Sequence, residues 1–180
     1  MWTIGAEEFD SINEKHKIIL VDKDSDPHSR LPLGLDVLGS VYNRRIYSAI
    51  CELYNHVTQE LVIQEDARIL DAGSGRGYIS LVLAANNPQA MITGIDYSFM
   101  QVREVEKYRR KRKIANCSFQ QGNAMNIEFA DETFDGSVSV GSIKHCPDAL
   151  RGLKEIHRVL KPGRHLIISE TDQKVSDNKK

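Results

Sequence analysis

The chain has 180 residues, 41% of them hydrophobic and 27% charged, with a formal net charge of −1. That is enough for one domain with a real core, and the charge is too balanced for a global pull toward nucleic acid or an anionic membrane. Three scattered cysteines (Cys51, Cys117, Cys146) make neither a metal spacing nor a disulfide framework, no apolar run approaches the ~20 residues of a membrane span, and the acidic start (Glu7, Glu8, Asp10) is no signal peptide, so a cytoplasmic protein without a bound metal is expected.

Residues 6–17 mix acids with Phe9 and Ile12 at a spacing that a short helix uses. Residues 17–21 (KIILV), closed by Asp22 and Asp24, read as a strand, although so short a run also fits a helix. Residues 22–32, with Pro27 and Pro32, read as loop, either a connection or a lid. From 35 to 62 the pattern is helical: Leu35, Leu38, Tyr42, Ile46, Ala49, Ile50, Leu53 and Val57 recur at steps of three and four, and Gly39-Ser40 offers a break.

Residues 68–81 (RILDAGSGRGYISL) organise the chain. A short apolar run ends in Asp71, then Gly73, Gly75 and Gly77 alternate with Ser74 and Arg76, and Tyr78 opens an apolar helical pattern. Strand, glycine turn and helix in that order build the ligand crevice of a doubly wound α/β sheet. The dinucleotide fingerprint G-x-G-x-x-G would put its third glycine where Tyr78 stands, and it brings a pyrophosphate to the helix N-terminus. A carboxylate at Asp71 repels that group and favours a ligand carrying an ammonium and no phosphate. S-adenosylmethionine (SAM) has the ammonium, a sulfonium and no phosphate, so the turn reads as a SAM site rather than a nicotinamide site. Residues 91–95 form a second strand ending at Asp96, followed by Tyr97; Asp96 lies 19 residues after Gly77, where such folds hold a ribose hydroxyl. An Asp that only shapes a strand–helix turn is the plain alternative.

Ser98 caps a helix that runs to about Lys111 and ends in the basic run KYRRKRK over 107–113. Cations complement a helix C-terminus; the sharper reading is a nucleic-acid patch. Residues 117–121 form strand three, 131–135 a polar turn and 134–140 strand four, which ends in GSIKHCPD over 141–148. His145 is the histidine at this carboxyl edge, either as a base for an acceptor proton or as a residue of the pocket wall. A helix over 148–160 and a Pro162-Gly163 turn lead into strand five at 165–169, and 11 polar residues remain after Ser169.

The pieces LDAGSGRGYIS, ITGIDYS, FQQGNAMNIEFADETFDGSVSVGSIKHCPD and LKEIHRVLKPGRHLIISE resemble class I SAM-dependent methyltransferases, in the broad group of the ubiquinone and menaquinone C-methyltransferases. The resemblance implies a Rossmann-like α/β sheet, with 1–62 as an N-terminal segment and cap helices of the same domain and 63–180 as the SAM-binding core. It implies that Asp71, Gly73, Gly75 and Gly77 hold the methionine end, Asp96 the ribose, and Asn123 with the backbone of Ala124 and Met125 the adenine, with Ser74 and Tyr97 also among the cofactor-binding residues. The family often has Asp where Asn123 stands. Tyr78 and His145 would border the sulfonium and the acceptor, and Tyr42, Arg44 and Arg45 the substrate mouth. A small-molecule acceptor is expected, with S-adenosylhomocysteine as product; RNA methylation and a non-catalytic SAM-binding partner or sensor subunit are the alternatives. The family's last antiparallel strand pair is missing, which leaves strand five bare: the KIILV segment covers it, two chains pair across it as a homodimer, or the chain is shortened.

Overall fold

A computed structural model of the chain describes residues 18–21, 61 and 63–170. The helix expected over 6–17, that expected over 35–62 apart from Leu61, which is a bend, the loop over 22–32, the mouth residues Tyr42, Arg44 and Arg45, and the tail 171–180 lie outside the described residues. Six strands make one sheet: β1 (Ile18–Val21), β2 (Arg68–Ala72), β3 (Met91–Asp96), β4 (Cys117–Gln121), β5 (Phe134–Val140) and β6 (Leu160–Ser169). Their order is β1-β6-β5-β2-β3-β4, and every neighbouring pair is parallel.

A mid-sheet parallel strand is covered on both faces, so its apolar residues run on instead of alternating. In β2, Ile69 and Leu70 are both fully buried, and they belong to different cores. Helices α1 (Tyr78–Asn86) and α2 (Phe99–Lys111) pack Ile79, Leu83, Val102 and Val105 against Ile69, Ile92, Val138 and Ile167. Helix α3 (Ala149–Val159) packs Leu153, Ile156 and Val159 against Leu70, Leu166 and Ile168, the alternate residues of the same strands. The sheet is therefore doubly wound. From β2 the chain steps outward to β3 and β4, then returns to place β5 on the other side of β2. The crevice at the carboxyl ends of β2 and β5 is the switch point where such folds bind ligands.

The helix signals hold closely. Ser98 Oγ accepts the Gln101 N–H at 3.4 Å and opens α2. Asp148 is the cap of α3 and not its first residue, since its Oδ1 accepts the Arg151 N–H at 2.9 Å. Strand five differs from expectation: β6 begins at Leu160, paired with Phe134, and resumes at His165 opposite Gly136, so 161–164 bulge out of the ladder. Gly163 (φ 71°) makes the bulge, and Asp135 anchors it through Lys161 at 2.9 Å and Arg164 at 3.6 Å. The far side of β6 is not bare. Ile18–Val21 pairs in register with 166–169, so the edge proposed for a homodimer is occupied by β1.

Candidate cofactor site

Four strand ends meet at one cleft of about 840 Å³, a size typical of small-ligand pockets. Its walls come from the turn after β2 (Gly73, Ser74, Gly75, Arg76, with Tyr78 of α1) and the turn after β3 (Asp96, Tyr97). The loop after β4 (Asn123, Ala124, Met125) and the segment after β5 (Ser142, His145, Cys146) complete it. Among the described residues predicted for the site, only Asp71 and Gly77 stand off the cleft wall.

Asp71 lies behind the cleft wall. Its side chain is 2% exposed and lies beneath the turn, where Oδ2 accepts the Ser80 hydroxyl at 2.6 Å and the carboxylate also takes the Ser80 backbone N–H. Ser80 is in the first turn of α1, whose cap residue Gly77 supplies no side-chain bond. The carboxylate thus serves as the anion at this helix N-terminus, the place a pyrophosphate would take. Desolvation pushes its pKa up to about 6, against the Ser80 bonds, with the Asp96 charge adding to the rise. Any pull on a ligand ammonium acts through the turn and not by contact.

Gly77 is a packing residue. At φ 73°, a Cβ there would lie 2.5 Å from Val105 Cγ2 and 2.6 Å from the Phe119 ring, so glycine lets α1 close on α2 and β4. At Gly73 (φ 82°), a Cβ would meet Ser142 Oγ at 1.5 Å. Its absence brings the turns after β2 and β5 together as adjoining walls.

The amides of the turn are spent on the scaffold. Gly73 N–H and Ser74 N–H both donate to the Ile95 carbonyl at 2.9 Å, Gly77 N–H donates to the Ser74 carbonyl at 2.7 Å, and Gly75 N–H donates to Asp96 Oδ2 at 2.8 Å. An anion-binding nest needs such groups aimed at the ligand, so the turn is unsuited to a diphosphate. Asp96 is fixed on both oxygens, with Oδ1 accepting Ser98 N–H at 2.8 Å. Each oxygen keeps a lone pair for a hydroxyl in the cleft.

In the β4 loop, Asn123 Oδ1 accepts the Met125 N–H at 2.9 Å. That amide is therefore not open to a ring nitrogen as expected, while the Asn123 amide nitrogen remains a donor beside it. After β5, a 3-10 turn (Ile143–His145) presents His145 at the exposed rim. Glu170, at the end of β6, fastens this turn: its Oε1 accepts Ser142 N–H at 2.9 Å, and its Oε2 lies 3.6 Å from Lys144 Nζ. Burial raises the Glu170 pKa, and Lys144 opposes the rise.

Sequence reasoning missed Arg76, Gln101, Ser142, Cys146 and Glu170. Gln101 had a signal, since the third residue after the Ser98 cap faces back over the glycine turn; its Oε1 lies 3.2 Å from where a Gly75 Cβ would stand. Glu170 acts across 28 residues and leaves no local pattern.

The lining fits SAM on the structure's own terms. A glycine cradle admits the ligand close to backbone, Asp96 suits a ribose diol, and Ser74 is part of the lining, with its Oγ buried and without a hydrogen-bond partner. Fold and cleft together are those of the class I SAM-dependent methyltransferase fold. The chain belongs to the family described as a methyltransferase domain, whose model matches residues 63–180. It is 36% identical over 113 residues to a demethylmenaquinone methyltransferase of Geobacillus sp. (strain WCH70), covering 62% of this chain and 48% of that protein. It is 40% identical over 103 residues to the O-methyltransferase resE of Aspergillus sclerotiorum, covering 57% of this chain and 39% of that protein. Among solved structures, that of the [4+2]-cyclase SpnF superposes with a TM-score of 0.64 at 32% identity, over 67% of this chain and 44% of that one. The chain spans less than half the length of each of these relatives.

Proposed function

We propose that the chain binds SAM in this cleft and directs its methyl group to a small-molecule acceptor, a phenol or quinol class of ring. The observation that carries the reading is Asp96: a carboxylate held by two backbone N–H groups at the cleft, with the Gly73, Ser74, Gly75 and Gly77 amides of the turn already bonded within the protein. The ring class follows the relatives, one named for demethylmenaquinone and one as an O-methyltransferase. When bound, SAM supplies an electrophilic methyl on its sulfonium. The chain's own part is positioning: Gly73, Ser74 and Gly75 admit the methionine end, Asp96 accepts from the ribose, and Asn123 with Ala124 borders the adenine. Ser142, His145 and Cys146 border the transfer end, where orientation supplies much of the rate. His145 at the exposed rim takes the acceptor's proton or orients it, and a His145→Gln variant separates the two by its pH profile.

The test is calorimetric titration with S-adenosylhomocysteine. Micromolar binding is expected, weakened about 10- to 100-fold in Asp96→Asn, which keeps an acceptor oxygen but loses the charge-assisted bonds. No saturable binding by the unaltered chain, or tighter binding of NADH, refutes the reading. A second reading, a SAM-fold protein that transfers no methyl, is favoured by the likeness to a cyclase. Methylation of any ring acceptor by the purified chain removes it.

A further inference from the structure

The exposed face of α2 combines two features that the cleft does not use. At its start stand Tyr97, which lines the cleft, and Phe99 and Met100 just beyond it, 78%, 57% and 55% exposed. Such contiguous apolar side chains on a surface mark a contact site more often than chance. Further along the same face, at helical spacing, come Arg103, Lys107, Arg110 and Lys111, all exposed. Val102 and Val105 are on the opposite, buried side.

Charge is segregated to this segment. Residues 97–113 hold seven cations and two carboxylates, in a chain whose net charge is −1. Both carboxylates are engaged: Glu104 with Arg103 at 3.2 Å, and Glu106 with Arg109 at 2.8 Å and Arg110 at 3.2 Å, while Glu106 also accepts Phe119 N–H at 2.9 Å. Lys107, Lys111 and Lys113 are left exposed to solvent, next to Arg112 lying over Tyr108. The helix is ~20 Å long, and charge elsewhere is screened beyond ~10 Å at ordinary salt, so the stripe acts locally as a cation.

We infer that this face of α2 docks on an anionic lipid surface, with Phe99 and Met100 entering the acyl boundary and the lysines meeting the head groups. An apolar tip beside a basic stripe is the pattern of interfacial helices. A single-stranded RNA would also use cations and aromatics, and Tyr97 and Phe99 offer rings, but Met100 has none and the Tyr108 ring is already covered by Arg112, so the apolar tip suits lipid better than a run of stacked bases. Docking in this pose turns the mouth of the cleft to the bilayer, where an acceptor dissolved in lipid could enter; that consequence rests on the function proposed above, whereas the docking itself does not.

The experiment is flotation of the 180-residue chain with vesicles of phosphatidylcholine alone and of phosphatidylcholine mixed with phosphatidylglycerol. Binding to the mixed vesicles only is expected, released by high salt. Lys107→Gln/Lys111→Gln should weaken it about 30-fold, from about fivefold per lysine. Phe99→Ser/Met100→Ser should weaken it by at least about tenfold. A Phe99→Trp variant in a Trp2→Phe background should shift its emission to the blue on mixed vesicles. No binding to mixed vesicles, no emission shift, or binding by both double variants undiminished from that of the unaltered chain overturns the inference; so does variant-sensitive binding to an RNA oligonucleotide without vesicle binding. Homocysteine-product titration in vesicle-free buffer reports the cleft separately, so lipid binding without S-adenosylhomocysteine binding sinks only the proposed function.

Discussion

Asp71 is buried beneath the glycine turn with its pKa pushed up to about 6, by desolvation first, against the bonds from Ser80. The sign of its effect on stability follows from linkage. In the unfolded chain the group titrates near 3.8, so between about pH 4 and about pH 6 the folded state holds the proton more tightly. Its contribution to stability is complete below the unfolded value and is lost as pH rises through the folded one. Two pKa units correspond to about 3 kcal/mol. The turn tolerates this because the ionised carboxylate anchors the first turn of α1 and keeps a second anion out. Asp71→Asn keeps the shape and the Ser80 bond without the charge. It should remove that part of the pH dependence and be more stable than the natural chain at neutral pH. Urea unfolding of both proteins from about pH 4 to about pH 7 checks it; parallel profiles would show that Asp71 does not carry the burial cost.

At the scale of elements, Arg158 on α3 ties the helix to the loop that follows Asn123, Ala124 and Met125. Its guanidinium donates to the carbonyls of Ile127 (2.7 Å) and Phe129 (2.9 Å) and pairs with Glu155 (2.9 Å) and Asp131. Glu155 in turn accepts the Ile127 N–H at 2.8 Å. Arg158→Met keeps the aliphatic stem and strands two carbonyls, so a loss of about 1–3 kcal/mol in urea unfolding is expected. S-adenosylhomocysteine affinity should fall in step if the loop carries the adenine side; unchanged affinity would mean that 122–126 is held from β4 alone. This tie marks the limit of what the sequence discloses. The β2 turn, the start of α2 at Ser98 and the span of β5 were legible, because each rests on a local signal: a positive-φ glycine, a cap, an apolar run. The bulge in β6 was read as a plain turn, since the ion pairs that hold it come from Asp135, on another strand. The bonds of Asp71 to Ser80 were not legible, because spacing shows where a residue falls in the chain and not which side of the turn its side chain takes. Asn123 was found, but the bond that consumes the Met125 amide depends on loop geometry that no pattern encodes.

At the scale of the molecule, the cleft is assembled from the ends of β2, β3, β4 and β5, which are far apart in sequence and come together only in the folded sheet. A ligand that touches all four has nothing to bind in the unfolded chain. Its binding energy is then stabilisation of the whole fold, growing as the logarithm of ligand over Kd. At a thousandfold excess over Kd the gain is about 4 kcal/mol, and a chain of this size gains roughly 2–4 °C in Tm per kcal/mol. S-adenosylhomocysteine should therefore raise the Tm by roughly 8–16 °C and keep raising it with the logarithm of concentration. NAD should leave it unchanged, because the turn amides are already bonded to Ile95, Ser74 and Asp96 and Asp71 already caps α1. Thermal denaturation across a ligand series measures this. A shift that levels off after a degree or two would mean that the four strand ends do not act as one site. A shift with NAD of equal size would return the glycine turn to the dinucleotide class, against the hydrogen bonds that now argue otherwise.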